Sequence, residues 1–308
     1  MKTTKRTLLI TFILTTFLLN AQNKTIVKKD NIFQTSGKVI KNSILTIPSD
    51  FFFMGKEVSN DWKKTGYYVG GIVGLIAIDK VTTNFLHKHL EPNLTYDLPD
   101  ISFINKTSNH KWLLGDNAYM SYPIIGNYLF SFFTNKERGQ YASINALKAI
   151  QYSTIITQLG LKTVFGRNRP NRPLSETAIE PWTNNNWDFF NKRKEYLFSS
   201  AEASSFPSLH TTAYFAIAKV FQMEYDNYWI PYSFMSVIYL SEMKKHNHWV
   251  SDLVVGGIVG TLIGKSIVLS SWKKRNIDGF IQKKKNISFN IVTQYSNNFK
   301  GMHLVGTF

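Results

Sequence analysis

Apolar and polar positions divide the chain into helical stretches joined by polar connections. Residues 1–21 open with Lys2, Lys5 and Arg6, continue through an apolar run from Leu8 to Leu19 broken only by threonines, and reach Ala21 before Gln22. A basic start, a short apolar middle and a small residue at the cleavage position are the pattern of a secretory signal. The run is short for a span of about 20 residues, which favours removal over retention as an anchor. Residues 22–60 are polar and lysine-rich apart from Phe51, Phe52, Phe53 and Met54, and read as a leader packed onto the body. A helix is expected from Trp62 to Leu90, with an apolar middle from Gly70 to Ile78 that Asp79 and Lys80 close. Residues 91–115 read as loop or short helices, and Tyr119 to Phe133 is apolar and aromatic. Glu137 to Phe165 reads as one long helix, with Ile144, Leu147, Ile150, Ile155 and Leu159 near helical spacing.

Gly166 and Pro170 stop that helix, because a proline disfavours helical geometry at the residue before it, here Arg169. Lys162 then falls in the last turn and Arg169 in the loop beyond. Residues 171–205 form a long polar connection with Trp187, Phe189 and Phe190 clustered in it. Loops of that length are functional or mobile, so a substrate-selecting lid and a plain surface insertion both fit. Further helices are expected from Ser208 to Tyr225, Tyr228 to Leu240 and His248 to Leu269, the last with Gly256, Gly257, Gly260 and Gly264 permitting close packing. After Lys273, Lys274 and Arg275 the pattern alternates at Ile287, Phe289, Ile291, Thr293 and Tyr295, and with Met302 to Phe308 it predicts a hairpin. The expected fold class is therefore all-α, a helical bundle with a short C-terminal β-hairpin. Its parts are the signal (1–21), the leader (22–60), a helical domain (61–272), and a basic linker with the hairpin (273–308).

Charge narrows the partners. The formal net charge is +16, which suits phosphate esters, anionic lipid headgroups or an anionic membrane surface. No nucleic-acid-binding module is recognisable; protein partners are left open. The chain has no cysteine, which excludes disulfides, thiolate metal sites and cysteine nucleophiles. Asp79, Lys148, Lys162, Lys219 and Lys265 interrupt the apolar helices, and the mean hydropathy is −0.16. Both favour an exported body, periplasmic or membrane-associated, over a set of clean spans.

Three short segments carry candidate chemistry. Lys162 is followed after six residues by Arg169 and Pro170. Pro207, Ser208, Leu209 and His210 stand together at an expected helix start. Ser241 and Glu242 are followed after five residues by His248 and, four residues on, by Asp252. Lys162 and Arg169 are cations for anionic oxygens, and an arginine can fork two of them. Ser208 and the first N–H groups of its helix are neutral donors at an end that favours anions. His248 and Asp252 share one helix face if His248 opens a helix, and the register selects His248 over His246. His87 and His89 flank Lys88 in a polar stretch and read as surface, not as a metal pair.

In order, chemistry and internal spacing these segments resemble the signature of the type 2 phosphatidic acid phosphatase and vanadium haloperoxidase superfamily: lysine, six residues, Arg-Pro; Pro-Ser-Gly-His; Ser-Arg, five residues, histidine, three residues, aspartate. The resemblance covers about residues 140–260. It departs at Leu209, which replaces a glycine, and at Glu242, which replaces an arginine. It implies a bundle with the site at one end and hydrolysis of a lipid phosphate or another phosphate monoester or pyrophosphate. In that reading His248 is the nucleophile, Asp252 its orienting carboxylate and His210 the general acid. Lys162, Arg169, Ser208 and Leu209 bind the phosphate. Arg167 adds field or orients neighbours, and Lys245 is a candidate to stand in for the arginine lost at Glu242. No metal or other cofactor is required, because the cations are side chains. Vanadate would be held by His248 only under the haloperoxidase alternative, and Glu242 motivates a second alternative, a non-catalytic anion-binding envelope protein.

Overall fold

The computed structural model describes residues 31–99, 101, 118–194, 202–243, 247–276, 288–296 and 299–307. The signal segment and most of residues 91–117 lie outside the described residues. Two compact units emerge, Met1–Ser271 and Trp272–Phe308.

The first unit is built of helices. The expected leader is itself helical: α1 (Ile32–Leu45) and α2 (Ile47–Ser59). Asn31 starts α1 with a capping box, accepting from the Phe33 N–H side while Gln34 accepts from the Asn31 N–H at 3.1 Å. Pro48 near the start of α2 needs no intrahelical donor there. α3 (Trp62–Ala77) and α4 (Asp79–Phe85) are bent by 68° where one helix was expected. The break falls at Asp79, whose carboxylate is fully buried and committed to partners elsewhere. α5 (Ala118–Phe133) leads to α6 (Glu137–Ser153), which continues through a wider π-helical stretch to a last α-turn at Lys162–Phe165. α7 (Leu209–Tyr225), α8 (Trp229–Met243) and α9 (Val250–Lys274) complete the body.

α6 is the central helix and packs against α1, α5 and α7. The apolar stripe read in the sequence is inward only in part: Ile150 is buried and Ile144 and Leu147 are half-buried. Ile155 is 51% exposed and Leu159 39%, whereas Ala142, Ala146, Ala149, Asn145, Thr157 and Gln158 are buried. Hydrogen bonds account for the inward polar positions: Asn127 donates to Ser143 at 2.7 Å, Asn145 to Glu224 at 3.3 Å and Thr157 to Thr212 at 3.3 Å. Hydrogen bonds made in this way offset the cost of taking polar groups out of water, and the small alanines let helices approach. Near the start of the body, Lys148 pairs with Asp50 at 2.5 Å and donates to Thr46 at 2.9 Å, tying α2 to α6.

α7 and α9 meet through backbone. A Cβ on Gly256, Gly260 or Gly264 would stand 2.8, 2.2 or 2.4 Å from the carbonyl oxygens of Ser208, Thr212 or Ala216. The glycines the sequence placed on α9 thus allow contact that any side chain would block. Among the described residues α9 is long and apolar enough to cross a membrane, and the bent pair α3–α4 passes the same test together. The second unit holds β1 (Ser288–Ser296) and β2 (Phe299–Thr307), paired antiparallel with Ser288 opposite Thr307 and Ser296 opposite Phe299.

Candidate active site

The end of α6, the start of α7 and the start of α9 converge. Gly166 closes α6 in the left-handed region at φ +42°, with its N–H on Lys162 O at 3.0 Å. It is also sterically required, since a Cβ there would lie 2.1 Å from Asn191 O. Phe190 N–H donates to Phe165 O at 2.7 Å and Asn191 N–H to Gly166 O at 2.8 Å. Thr183 N–H donates to Arg169 O at 3.0 Å, and Asn186 donates to Ile76 O at 2.6 Å. The described part of the 171–205 connection therefore lies against the first motif, neither a free lid nor a loose insertion.

Ser208 precedes α7 with extended φ/ψ, and Leu209 is the first helical residue. Leu209 has no positive φ, so glycine is not needed there. Thr211 donates to Ser208 Oγ at 3.0 Å, which leaves the serine hydroxyl proton to donate outward. His248 and Trp249 stand just before α9. Asp252, in its first turn, accepts from Trp249 N–H at 2.9 Å, half of a capping box.

Backbone bonds lock these segments: Ser205 N–H to Arg167 O at 2.9 Å and Ser208 N–H to Asp252 O at 3.0 Å. Arg167, fully buried, joins them by side chain. Its Nη1 donates to Asp252 Oδ1 and to Ser251 Oγ, both at 2.7 Å, and its Nη2 to Asp79 Oδ2 at 2.8 Å. Its guanidinium lies 4.7 Å from the Phe189 ring and 4.9 Å from the Trp249 ring. Arg167 is thus an orienting group and not an open anion donor. Asp79 also accepts from Ser251 N–H at 2.9 Å and from its hydroxyl. Sequence reasoning missed Asp79 as part of the site; the available signal was an acid set inside an apolar run, which was read only as the end of that run.

His248 is buried, with Nδ1 3.4 Å from Asp252 Oδ2. That is ion-pair reach but falls short of a well-directed hydrogen bond. Asp252 Oδ2 is held instead by Trp249 N–H and Ser205 Oγ. Burial lowers the His248 pKa to about 4, against the pull of Asp252. Burial pushes the Asp252 carboxyl up, but Arg167, His248 and Ser205 together hold it below the usual carboxylate value. Burial, then Arg169 and Arg193, take Lys162 well below the ordinary lysine value, with Asp252 opposing. Arg169 is lowered to about 10, by burial first, with Asp252 opposing and Arg193 adding to the drop. Arg193 is buried too, and its Nη1 donates to Gln158 O; nothing in its polar surroundings in the sequence marked it.

Ser208, His210, Tyr214, Tyr239, Met243 and His248 line a small pocket, so both histidines face one space with aromatic and thioether walls. Arg172 pairs with Glu91 and donates at 3.2 Å to Oδ1 of Asn247, next in sequence to His248. His87 is not a surface residue: its side chain is largely covered, 3.6 Å from Glu91, and burial followed by Arg172 lowers its pKa to about 4. Lys245 and His246 lie outside the described residues. Glu242 is in the last turn of α8, and its side chain lies outside the description. Among the described residues no group of three or more His, Asp or Glu side chains is arranged to hold a metal ion.

The helical body gathers the buried cations Lys162, Arg167 and Arg169 with His210 and His248 at the ends of three helices. Residues 142–276, somewhat under half of the chain, match the PAP2 superfamily. A stretch of 68 residues is 37% identical to the lipid A 1-phosphatase of Porphyromonas gingivalis, covering 20% of this chain. The match spans only 15% of that relative's length. No solved structure matches the chain.

Proposed function

We propose that the protein is a phosphatase that hydrolyses a lipid phosphate through a phosphohistidine. The observation that carries this reading is the pairing of a buried, neutral His248 with Asp252 in a pocket shared with His210, beside Lys162 and Arg169. A phosphate monoester resists attack because its oxygens repel the nucleophile. Lys162 and Arg169 offset that charge, and the Ser208 hydroxyl with the first N–H groups of α7 adds neutral donors. Leu209 takes part through its N–H.

In the first step the His248 Nε2 lone pair forms a bond to phosphorus while the bond to the leaving oxygen breaks. His210 gives its proton to that oxygen. Asp252 steadies the positive charge that develops on the imidazole, as an orienting carboxylate does in a triad. In the second step water attacks phosphorus, His210 takes its proton, the phosphorus–nitrogen bond breaks and inorganic phosphate leaves. His210 lends a proton in the first step and regains one from water in the second.

A lipid substrate is supported by the similarity to a protein named for lipid A and by the apolar pocket walls at Tyr214, Tyr239 and Met243. It is also supported by the body's surface. Polar groups of α6 turn inward, while Trp62, Tyr67, Val69, Val73, Val81 and Phe85 stand exposed along α3 and α4. Exposed apolar patches of this kind suit a membrane-associated protein, and with the basic N-terminal segment they support export. The test is phosphate release by the purified full chain from phosphatidic acid and from a chromogenic aryl phosphate, beside His248→Ala. Release that vanadate blocks and the variant lacks is expected. Release retained in His248→Ala, or none from folded protein, would overturn the reading; halide oxidation by the vanadate-treated sample would then favour the haloperoxidase alternative.

A further inference from the structure

Glu242 stands where the family signature has an arginine, so the phosphate site is short of one guanidinium unless another element provides it. We infer that Arg193, on the connection between the first and second motifs, provides that guanidinium and binds the substrate phosphate. The inference rests on the phosphatase reading above.

The chain path brings Arg193 to the site. Phe190 and Asn191, two and three residues before it, donate their N–H groups to Phe165 O and Gly166 O at 2.7 and 2.8 Å. The backbone leading to Arg193 is thereby fastened to the loop that carries Arg167 and Arg169. The Arg193 side chain then turns inward. It is 4% exposed, and its Nη1 donates to Gln158 O. Gln158 lies in the π-helical stretch that continues α6, four residues before Lys162, so this contact holds the guanidinium about one helical turn from Lys162. The electrostatics agree: Arg193 opposes the charge of both Lys162 and Arg169. Like charges gathered in a buried space disfavour one another, and a phosphate dianion is the ligand class that reverses this. Lys162 brings a compact ammonium and each arginine a planar fork, which together match the non-bridging oxygens of a phosphate ester.

Arg193 differs from Lys245, the stand-in expected from sequence, in lying outside all three motifs. Its position explains how a third motif carrying Glu242 remains compatible with phosphate binding. It also assigns the 171–205 connection a part in the site: the segment delivers a ligand-binding cation.

The experiment uses the full chain with orthovanadate as the probe, its binding followed by calorimetry, alongside kcat and KM on the aryl phosphate. Arg193→Gln keeps a donor for Gln158 O and removes the charge; Arg193→Lys keeps the charge and removes the fork. Arg193→Gln is expected to weaken vanadate binding and kcat/KM by about 100-fold, on the scale of losing one preorganised oxyanion donor, with Arg193→Lys in between. A folded Arg193→Gln that binds vanadate as tightly as the wild type overturns the inference and leaves Arg193 as a tie between loop and helix. If the wild type binds vanadate but releases no phosphate, the phosphatase reading fails while the binding comparison still decides the role of Arg193. If the wild type binds no vanadate, both fall.

Discussion

Gly260→Ala tests whether the site depends on backbone contact between α7 and α9. A Cβ at residue 260 would lie 2.2 Å from Thr212 O and 3.0 Å from both Ala216 N and Phe215 Cβ. Non-bonded carbon contacts relax at about 3.5–4.0 Å, so the helices must part by about 1 Å or more. Overpacking of this kind costs about 1–3 kcal/mol, and replacing a helical glycine by alanine returns about 1 kcal/mol. The net expectation is a loss of up to about 2 kcal/mol. The functional loss should be larger than the stability loss suggests. Thr212 caps back onto Ser208 O through its N–H and its hydroxyl, at 3.0 and 2.8 Å. Displacing it moves the first turn of α7 away from His248, and a 1 Å error in a reacting geometry can cost about 100-fold in rate. Gly257→Ala is the matched control. Its Cβ would meet only the Phe215 ring, at 3.5–3.6 Å, an ordinary contact, so stability should rise by up to about 1 kcal/mol. Urea midpoints and aryl phosphate turnover, measured for both variants in one buffer, decide the matter. If Gly260→Ala is as stable and as active as Gly257→Ala, the helices do not touch through their backbones and the argument fails.

Two further predictions follow from buried charge. His248 must be neutral to attack, and burial lowers its pKa to about 4, so kcat/KM should persist as pH falls below 6 and be lost only through about 4. An acid limb near the ordinary 6.5 would instead mean a solvated His248. Lys148→Met leaves the fully buried Asp50 with Tyr152 OH, at 2.9 Å, but without its cation. Removing one partner of a buried pair costs about 3–5 kcal/mol, whereas replacing both by apolar groups is often neutral. The single variant should therefore lower the urea midpoint and Lys148→Met with Asp50→Leu should recover most of it; a double variant as weak as the single one contradicts this account.

The parts of the site legible in the sequence are those fixed by local geometry. The end of α6 at Lys162–Phe165 follows from Gly166 and Pro170, the start of α7 from Pro207 and Ser208, and the glycine spacing on α9 marked it for close packing, though not against which helix. The fold was less legible where tertiary partners override pattern. The apolar stripe held at Ile150 but failed at Ile155 and Leu159, where the helix widens into its π-helical stretch, because periodicity records which residues are alike and not which hydrogen bonds await them. Helices α1 and α2 were hidden by a lysine-rich composition although Asn31 and Pro48 are ordinary helix-start signals. Asp79 and Arg193 were illegible for a different reason: each reaches the site across a long stretch of chain, and no local spacing records such a meeting.

Asp79 also explains why Arg167 and Arg169, two residues apart, do different work. Arg167 is divided between Asp79 and Asp252 and donates as well to Asn186 O at 2.5 Å. Its charge is used within the protein, and what it contributes is a fixed carboxylate at Asp252. Were Asp79 absent, Arg167 would draw on Asp252 alone and weaken the carboxylate's hold on the imidazolium that His248 becomes in the proposed reaction. With Asp79 present, the pull is shared, and Ser251, held by both its N–H and its hydroxyl, fixes the first turn of α9 against α4. The bend between α3 and α4 thus has a functional consequence. It carries a carboxylate to the site, and that carboxylate sets how much of Arg167 reaches Asp252.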